Sequence, residues 1–197
     1  MSKIIIYQCF PRWFTNYVSV RVPNGDKAIN GCGTFAGINT KALKGIQELG
    51  ATHVWYTGVL RHATAELNTP SITKGKDGSP FEITDYYDVD PDLAVHPDKR
   101  MAEFEALVAR THKAGLKVII DFVPNHVSRE YHSACRPKGV DDLGQNDHSE
   151  WAFSPLNNFY YIPGEAFSPS FDTGGFHEGP PPATGAPRVS PHPAGNA

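Results

Sequence analysis

Asp121, Asn125 and His126 are the residues whose types and spacing could do chemistry most directly. They stand in the run Asp121-Phe122-Val123-Pro124-Asn125-His126, right after the apolar stretch Lys117-Val118-Ile119-Ile120. A carboxylate, a carboxamide and an imidazole at a strand end supply an acceptor, a two-way amide and a group that changes charge near neutral pH. Taken alone, Asn-His is a common dipeptide, and a turn with a satisfied histidine explains it equally well. Other titratable groups carry weaker patterns. Asp85, Asp88, Asp90 and Asp92 share one connection and read as a solvated acidic turn beside Pro91 and Pro97. Asp141, Asp142 and Asp147 read as loop carboxylates. Cys9, Cys32 and Cys135 are odd in number and lack CxxC or Cys/His ligand spacing, so they argue against a disulfide scaffold or a zinc site and are expected to be buried or inert.

The elements that must position these groups show in three β-rich apolar runs, Lys3 to Gln8, Thr52 to Leu60 and Lys117 to Val123. The third is almost continuously apolar, the pattern of a parallel strand buried on both faces. A helix capped by Thr40 carries Leu43, Ile46 and Leu49 on one face and ends at Gly50. A longer one follows Asp98, with Met101, Phe104, Leu107 and Val108 in a stripe, and closes at Gly115. Helix, Gly-containing turn and strand, twice over, predict an α/β fold with a parallel sheet. The strands start about 50 to 65 residues apart, so the loops beyond their ends are enlarged. Loops at the carboxyl ends of parallel strands are where α/β proteins place their chemistry.

Composition sets the outer bounds. The 197 residues are 40% hydrophobic and 20% charged, with 18 Lys plus Arg against 21 Asp plus Glu and a net charge of -3. That supports one sizeable core and offers no broad basic footprint, so nucleic acid and anionic membranes are not expected partners. No apolar run approaches the ~20 residues of a membrane helix. Residues 1–7 read as a strand and not as a signal peptide, which makes cytoplasmic the expected address. Residues 128–176 lose periodicity and become rich in aromatics, expected to form the core of a small irregular subdomain rather than a binding surface. From 178 to 197 there are 6 of the 17 prolines and no aromatic, which predicts a disordered tail. The expected division is 1–127, 128–176 and 177–197.

The Asp121-to-His126 run, in this context, resembles the first signature region of the α-amylase superfamily of retaining glycoside hydrolases. Ile6-Tyr7-Gln8-Cys9-Phe10-Pro11-Arg12-Trp13-Phe14 resembles the family's first strand. Gly33-Thr34-Phe35-Ala36-Gly37-Ile38 and Leu49-Gly50-Ala51-Thr52 resemble the approach to its second, and Phe81 to Pro91 resembles the segment before its third helix. The resemblance implies a (β/α)8 TIM barrel, of which this chain holds the first three βα units and the start of an irregular inserted domain. It also implies α-glucans such as starch or maltooligosaccharides as substrate. By resemblance, His126 donates a hydrogen bond to sugar hydroxyls, Asp121 braces the active-site floor, and Asn125 offers an oxygen to a calcium ion, with Asp172 a remoter candidate for that ion. Phe81 stands where the family usually has a Tyr under the sugar, and Gly58 where a Pro is usual.

Retaining hydrolysis needs two carboxyl groups about 5 to 5.5 Å apart, which the family draws from strands four and five. No Arg-x-Asp pattern follows an apolar run after residue 127, so no catalytic residue is assigned. The chain is expected to stop short of the reactive pair, since a closed barrel takes ~250 residues. It is further expected to be inactive and poorly soluble alone. The alternative is a non-catalytic oligosaccharide-binding or regulatory fragment. A lyase or aldolase is disfavoured, since no Schiff-base Lys or metal cluster stands at a strand end.

Overall fold

The computed structural model describes residues 3–23, 25–68, 73 and 76–164. The predicted tail, Asp172 and the aromatics Phe167, Phe171 and Phe176 lie outside them. The chain divides into two compact units, residues 1–62 with 85–122 and residues 63–84 with 123–197. The division falls after Phe122 rather than after Val127, and it assigns 63–84 to the second unit. Neither feature is visible as a change of composition.

The first unit is built on a parallel sheet of β1 (Ile6–Cys9), β2 (His53–Tyr56) and β5 (Lys117–Ile120), in the order β1-β2-β5. Tyr7 pairs with Val54 and Val54 with Val118, so the three strands end level with one another. These are the three strands expected from the apolar runs. Between them run the short α1 (Pro11–Phe14) and α2 (Lys27–Asn30), then α3 (Thr40–Glu48) and, later, α4 (Arg100–Lys113). The core is one cluster that includes Cys9, Phe35, Ile38, Leu43, Ile46, Val54, Tyr56, Leu107 and Leu116. Burying side chains of this size stabilises by about 1.5–3 kcal/mol each.

Details of the helices depart from the expected pattern. Asn39, not Thr40, caps α3: its side chain accepts from the Ala42 amide at 3.1 Å while its own backbone is extended. Leu49 has left the helix by then and is 71% exposed. In α4, Leu107 and Thr111 carry the buried face, and the Thr111 hydroxyl meets the Tyr56 hydroxyl at 2.6 Å. Gly50 and Gly115 turn the chain out of the two helices at φ +84° and +77°, the region where a side chain is strained.

β5 is not buried on both faces. Its ends Lys117 and Ile120 are exposed, and Phe122 just beyond is 76% exposed. Its residues have the apolar character of a doubly covered strand, yet among the described residues β5 pairs with β2 alone.

The stretch read as a solvated acidic turn is a strand. β4 (Ile83–Val89) pairs with β3 (Leu60–His62) in a two-stranded sheet. The two run in opposite directions, since the Asp90 amide meets the Val59 carbonyl at one end and the Ala63 amide meets Glu82 at the other. Asp85, Asp88 and Asp90 are only 1–2% exposed. In the second unit, residues 123–164 contain no helix or extended strand among those described, as the loss of periodicity implied.

Candidate functional site

The carboxyl ends of the parallel strands in the first unit carry Gln8, Thr57, Gly58 and Asp121. The Gln8 amide donates to the Thr57 hydroxyl at 3.0 Å, and the Thr57 amide donates to the Cys9 carbonyl at 2.9 Å, which ties the ends of β1 and β2 together. Asp121 does the same for β2 and β5. Its Oδ1 accepts from Trp55 Nε1 at 2.7 Å and its Oδ2 from the Gly58 amide at 2.5 Å. Charge-assisted bonds of this kind are about twice as strong as neutral ones. Gly58 adopts φ +70°. A proline is held near -65° and has no N–H, so the residue usual at this place in the family could make neither the turn nor the bond.

The first unit also buries charge. Arg12 follows the end of β1 and is 7% exposed. It donates to Asp90 at 2.9 Å and Asp92 at 3.2 Å, and Lys27 reaches Asp92 at 3.0 Å. His62, also buried, lies 3.7 Å from Asp90. Asp88 accepts two bonds from the Arg100 fork at 2.7 Å each and one from Arg61 at 3.1 Å. Burial by itself would raise the Asp88 carboxyl, but bonds from Arg100, the Val89 amide and Arg61 outweigh it and hold it below the usual carboxylate range. Asp92 is likewise held down against burial, by Lys27 and Arg12. Burial pushes the thiols the other way, Cys9 to about 12 and Cys32 to about 11. These two therefore stay protonated and unreactive at neutral pH, whereas Cys135 is exposed.

The other expected site residues, Phe81, Asn125 and His126, belong to the second unit. Asn125 and His126 are exposed and face each other, with Nδ1 of the imidazole 3.2 Å from Oδ1 of the amide. The amide oxygen accepts this contact in the tautomer that carries its proton on Nδ1. The Phe81 ring is 41% exposed and its backbone amide bonds the Ser79 hydroxyl at 3.4 Å. Calcium takes six to eight oxygen ligands. Asn125 offers one that is already turned to His126, and within either unit no three ligand atoms of His, Cys, Asp or Glu converge among the described residues.

The loop carboxylates of this unit hold its backbone. Asp147 accepts from the amides of Asn158 and Phe159 at 2.7 and 2.9 Å and from the Tyr161 hydroxyl at 3.0 Å. Asp142 accepts from the Ser133 amide at 3.0 Å. Sequence reasoning missed the arginine partners of Asp88 and Asp90. The signal available was Arg12 itself, a cation inside the apolar run Phe10 to Phe14.

Residues 8–163 match the family model of the alpha amylase catalytic domain. The chain belongs to the alpha-amylase family of glycoside hydrolases. Within that family it is 31% identical over 143 residues to Maltase 1 of Drosophila virilis, a match covering 71% of this chain and 18% of that protein. It is 28% identical over 150 residues to an oligo-1,6-glucosidase of Parageobacillus thermoglucosidasius, covering 76% and 22%. Among solved structures, an alpha-amylase from Lactobacillus plantarum is 30% identical, with a TM-score of 0.47 over 66% of this chain and 24% of that one. This alpha-amylase family chain thus spans about a fifth of the length of the curated relatives it matches.

Proposed function

We propose that this alpha-amylase family chain forms the sugar-holding floor of a retaining (β/α)8 enzyme acting on α-glucosides such as maltooligosaccharides. The observation that carries the reading lies in the second unit, where Asn125 and His126 stay exposed and face each other. His126 meets Asn125 through Nδ1, which leaves Nε2 for the hydrogen bond to a sugar hydroxyl expected from resemblance. Phe81 stacks under a sugar ring through its exposed face, without the hydroxyl a Tyr would add. Asp121 is a positioning residue rather than an acid or nucleophile, because both of its oxygens are committed to N–H donors.

A second reading, binding without cleavage by this chain, is favoured by the same commitment. Among the described residues, Asp88, Asp90, Asp92, Asp121, Asp142 and Asp147 all hold N–H, guanidinium or ammonium donors. Calcium enters the proposal through Asn125 Oδ1 alone. A calcium titration that leaves the Asn125 resonances and the melting temperature unchanged removes it. The buried protonated thiols suit a reducing, cytoplasmic setting, and no described helix is long and apolar enough to cross a membrane. Incubation with maltoheptaose tests the function: the expected outcome is saturable binding with no glucose released. Release of reducing sugar by the pure chain would show that a reactive carboxyl pair is present after all.

A further inference from the structure

The described aromatics of the second unit are unevenly covered. Of Trp151, Phe153, Phe159, Tyr160 and Tyr161, only Tyr161 is buried, and Trp151 and Phe153 are each 43% exposed. Trp151 is nonetheless held in place. The His148 imidazole stacks on it with ring centres 4.0 Å apart and planes 17° from parallel. His148 is fixed in turn by the Asn157 carboxamide, which accepts from its amide and donates to its carbonyl, both at 2.8 Å. The Trp151 amide closes the turn onto the same carbonyl at 3.0 Å, and Glu150 meets His148 Nδ1 at 3.0 Å.

An indole covered on one face by a stacked imidazole and still largely exposed presents its other face and edge to water. Leaving so large an apolar surface wet is unfavourable, and rigidity lowers the ordering cost of whatever covers it. We propose that the His148–Trp151 stack is a second binding platform of this chain, for a pyranose ring of an α-linked glucose oligosaccharide. The flat C–H face of a pyranose matches a single aromatic face, and its rim of hydroxyls needs acceptors and donors beside that face. Glu150, exposed next to the stack, brings a carboxylate acceptor there, and Asn157 fixes the turn beneath it. The choice of glucose as the sugar rests on the function proposed above. The platform itself does not depend on His126.

The test is a titration of the 15N-labelled full chain with maltoheptaose, following the indole resonances of Trp13, Trp55 and Trp151 and the ring resonances of His126. The Trp151 indole is expected to shift saturably, in the unaltered chain and equally in His126→Ala. Affinity read at Glu150 and Asn157 is expected to fall about tenfold or more in Trp151→Ala and to be largely restored in Trp151→Tyr, which keeps a stacking face. Should Trp151→Ala fail to fold, the Trp151→Tyr and His126→Ala variants still decide the matter. A titration that moves His126 but leaves Trp151 still overturns the platform and leaves the proposed function standing. One that moves Trp151 alone supports the platform and removes His126 from the sugar site.

Discussion

At the residue scale the decisive group is Asp121, and Gly58 explains its state. The carboxylate at the end of β5 accepts from the one backbone amide that a proline would have deleted. Gly58→Ala keeps the N–H but puts a side chain at φ +70°, which is expected to cost about 1–2 kcal/mol. Gly58→Pro loses both bond and turn and is expected to cost about 3 kcal/mol or more, read from denaturant unfolding. In Asp121→Asn the Trp55 indole proton is expected to move upfield as it loses its charged acceptor, and an unmoved resonance would contradict the bond. The identity of Asp121, Asn125 and His126 as a strand-end group was legible from spacing after an apolar run. The partners of the acidic cluster were not. Asp90 finds Arg12 from 78 positions away, and no local pattern carries that pairing.

At the scale of elements, helices and parallel strands could be read from periodicity because their core faces repeat every three to four or two residues. Burial of β5 and the strand character of 83–89 could not. A strand's exposure depends on what lies beside it, and an acidic strand looks like a turn until its arginines are found. Removing one partner of a buried ion pair typically costs 3–5 kcal/mol. Arg100→Ala is expected to cost roughly 2–4 kcal/mol, below the full range because Arg61 still holds Asp88. Ile120→Lys, on the exposed end of β5, is expected to leave stability nearly unchanged and to lower self-association in light scattering, since a charge on an open strand blocks edge pairing. Equal association in both proteins would show that this edge is not sticky.

At the scale of the whole molecule, the charge network sets how stability responds to pH. Asp88 and Asp92 have carboxyls lowered in the folded state. Below the unfolded carboxylate value of about 4 the unfolded chain binds protons first, so the stabilisation from these groups is fully present above that pH and is lost as pH falls toward their folded values. Urea midpoints are expected to hold steady from neutral pH down to about 5 and then to fall. The thiols give an independent check. Cys135 is exposed and is expected to react first with iodoacetamide, while Cys9 and Cys32 react only on unfolding.

The most direct measurement of the central claim follows the His126 ring resonances during maltoheptaose addition to Trp151→Ala, which leaves only the strand-end site in view. A saturable shift that disappears when Asn125 is also changed to alanine is the predicted result. His126 resonances that stay fixed at saturating sugar would contradict the assignment of this strand end as the floor of an α-glucoside site.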